Sequence, residues 1–113
     1  MKSTYEIKQG ICWIQYNEDA TFEQAYLLNS ELESWISEQP VTGVVIDLKT
    51  VDMLNSSGIG LLVQALKMVR DKGMKFVVLA NDYVIRVLKM VGLEDKISVA
   101  EDAEQAESLI KEG

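Results

Sequence analysis

Asn55-Ser56-Ser57-Gly58 is the stretch of this chain whose residue types and spacing point most directly to chemistry. It follows an apolar run, Val44-Val45-Ile46-Asp47-Leu48, and opens a long apolar-periodic segment ending near Lys72, so it lies where a strand passes into a helix. The leading amides of a helix have no partner within it and carry roughly half a positive charge, which favours a capping hydroxyl or an added anion such as phosphate. Ser56 or Ser57 can serve as the cap, as a phosphate acceptor, or as both. Serine is a preferred cap and glycine is common at turns, so a cap with no further role satisfies the motif equally well.

Composition narrows the chemistry open to such a site. The 113 residues include no histidine, which removes the usual general base for a serine nucleophile and the commonest transition-metal ligand. There is no Gly-rich loop followed by Lys to cradle a nucleotide phosphate, and the single cysteine, Cys12, lies in an apolar run where an inert buried thiol is expected. No enzymatic activity, cofactor or metal is expected. With 18 acidic and 11 basic residues the net charge is −7, and no basic cluster is interleaved with aromatics, so direct nucleic-acid binding is disfavoured and a protein partner favoured. No apolar run approaches the roughly 20 residues of a membrane span, and residues 1–6 lack an apolar signal core. A cytoplasmic protein without membrane insertion is the expectation.

The elements that must position the serines follow from periodicity. Residues 4–8 alternate crudely and pass through Gln9-Gly10, a turn signal, into the β-branched and aromatic run 11–16, predicting a hairpin. Residues 17–20 read as loop, and Thr21 with Gln24 forms a capping box for a helix to about Ser37. Its apolar positions are Ala25, Leu28, Leu32, Trp35 and Ile36. Pro40 precedes the central strand 44–48; Ile59, Leu62, Val63, Leu66 and Val69 form the core stripe of the second helix, closed by Gly73. A strand at 74–80 follows, then a third helix capped by Asn81-Asp82, with Val84, Val87, Leu88 and Val91 inward, Gly92 as its end and Leu93 as hydrophobic follower. A last strand, 96–100, leads to a helix capped by Asp102 with Gln105, or by Glu101, with Ala106, Leu109 and Ile110 inward. Trp13 and Trp35 fall in step with the core. The order ββαβαβαβα predicts a single α/β domain over residues 1–113, with a mixed, mostly parallel sheet and helices chiefly on one face. In such sheets functional loops gather at the carboxyl ends of the strands, where Asn55, Ser56 and Ser57 fall.

Two segments, Leu54-Asn55-Ser56-Ser57-Gly58-Ile59-Gly60-Leu61-Leu62 after a strand ending in Asp47-Leu48, and Val84-Ile85-Arg86-Val87-Leu88-Lys89-Met90-Val91-Gly92-Leu93, resemble the STAS domains of bacterial anti-sigma factor antagonists. The resemblance runs from the first hairpin to the segment 103–106. It implies a STAS fold, and a protein that binds an anti-sigma factor which is also a serine kinase, frees a sigma factor, and is switched off by phosphorylation, with a phosphatase to reset it. The family pattern is usually Asp-Ser-Ser/Thr-Gly-hydrophobic-Gly with the first hydroxyl as acceptor. That implies Ser56, with Ser57 as the alternative, in a switch loop of Asn55, Ser56, Ser57 and Gly58. The chain departs from the pattern at Asn55, where Asp is usual; Asn also caps a helix and adds no charge beside a phosphate.

Beside the loop, Leu61, Ala65 and Met68 lie about 100° from the core stripe, one residue's rotation. They are expected either to form an exposed apolar strip for the partner or to pack against the third helix around Met90. Lys67, Arg70 and Lys72 read as a solvated face. Two other functions compete: a STAS subunit of a transporter or lipid-trafficking ATPase complex, with Ser56 as a structural helix cap, and a receiver-type phosphotransfer domain. The latter needs clustered carboxylates at strand ends and a lysine near the end of the last strand, whereas Asp47 is read as inside its strand and the last strand ends in Val99-Ala100. A chain with neither base nor nucleotide loop should be a kinase's substrate only. Purified protein mixed with ATP is accordingly expected to show no hydrolysis and no self-labelling; ATPase activity that co-purifies through further fractionation would contradict this.

Overall fold

The computed structural model describes residues 4–16, 22–38 and 40–112, with the backbone alone for 22–29. The expected loop 17–20, the Thr21 and Gln24 capping box, and the inward placement of Ala25 and Leu28 lie outside the described residues. The elements are β1 (Thr4–Lys8), β2 (Ile11–Gln15), α1 (Phe22–Glu38), β3 (Gly43–Asp47), α2 (Ser56–Asp71), β4 (Lys75–Leu79), α3 (Asp82–Met90), β5 (Ser98–Ala100) and α4 (Ala103–Glu112). The expected order is present. The last strand is shorter than expected, three residues rather than five.

Strands run β1-β2-β3-β4-β5 across the sheet, with β1 antiparallel to β2 and every other pair parallel. Gln9 and Gly10 both have positive φ, 54° and 78°, which is the geometry of a two-residue type I′ hairpin turn and the reason a glycine stands second. Because β2 to β5 are laid down in one direction, right-handed crossovers put α1, α2 and α3 on the same face. Cys12, Ile14, Val44, Ile46, Phe76 and Val78 point to that face and share its core with Leu32, Trp35, Ile36, Leu62 and Leu88. α4 follows the last strand and closes the other face, over Ile11, Val45, Val77, Leu79 and Ala100. β3 is thus buried on both sides, as its continuous apolar run requires.

Both interior helices stop by the same device. Gly73 and Gly92 take φ of 75° and 77°; their amides bond to Arg70 and Lys89 carbonyls, and the next amides, of Met74 and Leu93, reach back to Val69 and Leu88 at 3.0 and 2.8 Å. This is the Schellman arrangement, and Leu93 packs on the core as its hydrophobic follower. Asp102 accepts from the Gln105 amide at 2.8 Å and so caps α4, while the Gln105 side chain accepts from the Glu101 amide.

Several inward positions need correction. Val63 and Val91, expected in core stripes, are 43% and 45% exposed, and Leu109 is 38% exposed. On α4 only Ala106 and Ile110 are buried, because the helix approaches the sheet so closely that a Cβ at Gly43 would lie 2.7 to 2.9 Å from Ile110 side-chain atoms. Trp35 is buried and stacks on Tyr5 with ring centroids 3.9 Å apart. Trp13 is only half-buried: α4 covers Ile11 but leaves a cleft of about 360 Å³ lined in part by Trp13, Ala103 and Glu107.

Cys12 is fully buried, and desolvation raises its thiol pKa to about 11. Folding therefore favours the protonated thiol; this contribution is complete below the unfolded value of about 8.5 and is lost as pH rises towards 11. At pH 8 a thiol reagent should leave the folded protein unlabelled and react only as fast as the chain opens globally. Stoichiometric labelling within the mixing time would show that Cys12 is not in this core.

Candidate functional site at the start of helix α2

The eight residues 48–55 carry the chain from the carboxyl end of β3 to α2. Leu48 continues the sheet by bonding to the Leu79 carbonyl at 2.9 Å, and Val51 closes a turn back onto Leu48 at 3.1 Å. Val51 and Leu54 are buried, and Met53 between them projects outward, 67% exposed. Two residues of α3's start hold this loop. Asn81 caps α3 by accepting from the Val84 amide at 2.8 Å, and its side-chain NH₂ donates to the Lys49 and Val51 carbonyls at 2.9 and 2.8 Å. The Tyr83 hydroxyl accepts from the Leu54 amide at 3.0 Å. The loop is pinned both by these bonds to its main-chain groups and by the burial of Val51 and Leu54.

Asn55, not a serine, caps α2. Its backbone is extended (φ −87°, ψ −179°) and its side-chain oxygen accepts from the Gly58 amide at 2.9 Å, while Ile59 takes the first intrahelical bond to the Asn55 carbonyl. The expectation that Ser56 or Ser57 is the cap is corrected by one position. Ser56 is exposed as the first residue of the helix, and Ser57 is half-buried. The structural cap expected of Ser56 in the alternative reading is thus supplied by Asn55 instead. Gly58 is buried because a Cβ there would lie 2.8 Å from Leu54 Cδ1 and 3.1 Å from the Tyr16 hydroxyl. That contact sets the phase of the first turn, and so which serine faces outward.

The first turn of α2 contains no acidic residue, so the positive end of the helix is met there only by the neutral cap. An anion on Ser56 would join unpaired leading amides without displacing any bond described above.

The strip of Leu61, Ala65 and Met68 is not an exposed surface. Leu61 is 3% and Ala65 0% exposed, and half-buried Met68 packs on the same core. α1 packs against α2, and the buried stripe of α2 runs through 58, 61, 62, 65, 66 and 69. The neighbour expected for it, Met90, is 83% exposed. Asp47 proves to be the last residue of β3, and its carboxylate accepts from the Lys49 amide at 2.9 Å. Among the described residues no three acidic or metal-ligating side chains cluster around it, so the receiver arrangement is incomplete. No helix among the described residues is long and apolar enough to cross a membrane.

The sequence did not disclose the second role of Asn81 or the role of Tyr83. One signal was available. Asparagine, unlike serine or aspartate, carries an acceptor for the cap and two donors to spare, and is suited to a cap that must also hold a neighbouring loop.

The family model of the STAS domain matches residues 2–106. Among solved structures, the fold superposes on an anti-sigma factor antagonist from Mycobacterium paratuberculosis with TM-score 0.79 at 19% identity, over 97% of this chain and 93% of that one. A serine-to-glutamate variant of RsbS from Moorella thermoacetica matches with TM-score 0.84 at 16% identity, over 99% and 97%. The Bacillus anti-sigma factor antagonist SpoIIAA matches in its unphosphorylated form with TM-score 0.79 at 16% identity (98% and 97%) and in its phosphorylated form with 0.72 at 15% (95% and 98%). At these identities the likeness is one of fold. Anti-sigma factor antagonists of this family are binding modules without enzymatic activity.

Cap and acceptor are separable by mutation. Asn55→Ala should lower stability by about 0.5 to 2 kcal/mol through loss of the cap, whereas Ser56→Ala should fall within about 0.5 kcal/mol of wild type. Urea titration of both proteins checks this. A larger loss for Ser56→Ala than for Asn55→Ala would return the cap to the serine.

Proposed function

The chain belongs to the STAS domain family, and from that premise we propose that it is a cytoplasmic anti-sigma factor antagonist switched by phosphorylation of Ser56. Unphosphorylated, it binds an anti-sigma factor that is also a serine kinase and so frees a sigma factor; phosphorylated, it lets the kinase go, and a phosphatase restores it. The observation that carries this reading is the exposed Ser56 hydroxyl at the positive end of α2, left free of the capping role by Asn55. A residue whose hydroxyl the fold does not use can take a phosphate at no cost in structure.

The physics of the switch is local. A phosphate brings about −1.5 to −2 charges and three acceptor oxygens. The helix start accommodates them, but a partner surface fitted to a neutral hydroxyl does not. The SpoIIAA fold, solved in both phosphorylated and unphosphorylated forms, lends support by analogy: this architecture can hold either state.

Incubation with a serine-kinase anti-sigma factor from the same genome and ATP should add one phosphate to the peptide containing Ser56 and Ser57, located at Ser56 by fragmentation mass spectrometry. In calorimetry Ser56→Ala should bind that kinase as wild type does, and Ser56→Asp at least about tenfold more weakly, although an acid at this position should slightly stabilise the helix. Equal affinities for all three would leave Ser56 without a switching role. Loss of binding in Ser57→Asp alone would move the acceptor to Ser57.

A further inference from the structure

The face of the sheet opposite α1, α2 and α3 is only partly closed. Five strands about 4.8 Å apart make a sheet about 19 Å wide, more than one helix about 10 Å across can cover. α4, the one helix on that face among the described residues, packs with Ile11, Val45, Val77 and Ala100. Beyond it, on the same face, lie half-buried Trp13 and, across from Trp13 and Ile11 in the hairpin register, exposed Glu6 and Lys8. Two adjoining hollows result, of about 360 and 270 Å³, and Trp13 and Ala103 line both. They form one trough along β2 from Ile11 to Gln15, about 13 Å long at about 3.3 Å per residue.

Its chemistry is laid out along that line. Glu104 and Glu107 stand at one end, Glu6 and Asp47 at the other, and the indole of Trp13 lies between. Lys111 reaches Glu107 at 2.7 Å and Gln9 at 3.3 Å, and Asp47 accepts from the Lys49 amide, but Glu104 has no ion pair among the described residues. Nor do three acidic side chains among the described residues converge as a metal ion requires. Charge spread in a line suits a ligand whose own charges are spread. The cationic side chain on the lining, Lys8, shows the contact on offer: its ammonium lies 6.0 Å from the Trp13 ring centroid and 3.7 Å from the Glu6 carboxylate. That is an alkylammonium held between an aromatic face and a carboxylate, on an exposed side chain that an incoming ligand can displace.

We infer that the trough binds a linear aliphatic polyamine of the spermidine class. An extended triamine is of similar length. Its methylenes lie on Trp13 beside Ala103, one terminal ammonium meets Glu104 and Glu107, and the other replaces Lys8 against Glu6 and the indole. Asp47 adds to the attraction at that end. The site lies on the face away from α2, and the inference stands apart from the function proposed above.

Calorimetry at about 50 mM salt measures binding of spermidine, butylamine, magnesium and a short oligolysine to wild type, Trp13→Leu, Lys8→Gln and the double variant Glu6→Gln with Glu104→Gln. A second double variant, Glu33→Gln with Glu38→Gln, removes the same charge from exposed positions of α1. Thermal unfolding of each variant accompanies the titrations. Spermidine should bind wild type one to one, at least about tenfold more tightly than butylamine, with magnesium a poor competitor. Trp13→Leu should weaken it about tenfold and the trough double variant about threefold or more, while Lys8→Gln should tighten it and the α1 control leave it unchanged. Equal weakening by the two double variants, or ready displacement by magnesium, reduces the binding to a diffuse counter-ion effect and overturns the inference. Butylamine binding as tightly as spermidine overturns the spanning of both ends. Oligolysine binding where spermidine does not makes the trough a peptide-docking surface and overturns the polyamine. Should Trp13→Leu fail to fold, the comparison of the two double variants, all at exposed positions, decides alone.

Discussion

Right-handed crossover is the constraint on which the rest of this molecule depends. β2, β3, β4 and β5 are added in sequence in one direction, so three helices must lie on one face with their N-termini at the carboxyl ends of the strands. That geometry brings the starts of α2 and α3 side by side and lets one asparagine, Asn81, cap one helix while gripping the loop that leads into the other. Tyr83 adds a second tie from the same turn. The position of Ser56 is thus fixed by a neighbouring β-to-α junction through main-chain carbonyls and an amide.

Much of this was legible in the order of elements, and the errors share one physical source. A stripe drawn from helical periodicity alone had its phase off by part of a turn, placing Val63 in the core of α2 and Leu61 and Ala65 outward. Tertiary contacts set the phase instead: Gly58 sits against Leu54 and the Tyr16 hydroxyl, and Ala65 is fully buried in the core on that side of the sheet. On α4, likewise, Ala106 is buried and larger Leu109 is not. The C-terminal ends were read correctly because glycine there answers to a local backbone requirement, φ near 75°, which no tertiary contact modifies. The N-cap was misplaced by one residue because Asn, Ser and Ser in succession are nearly equivalent as caps. Only contact of Gly58 with Leu54 and Tyr16, from elsewhere in the fold, breaks the tie. Strand pairing partners beyond the hairpin, and with them the double duty of Asn81, cannot be read from local sequence at all.

The use of asparagine rather than aspartate at the cap bears on how the proposed switch would sit energetically. An ionised cap and a phosphate on the next residue would repel: at about 4 Å and an effective dielectric of about 20, each pair of unit charges costs about 4 kcal/mol, and at a wet surface nearer to 1. A carboxylate cap compensates the helix's positive end before any phosphate arrives, whereas a neutral amide caps the Gly58 amide and leaves most of that potential for the incoming group. With Asn55, the phosphorylated state avoids the repulsion and meets the full attraction of the helix start. In the proposed switch one neutral side chain would thus relieve the phosphorylated state of an electrostatic penalty.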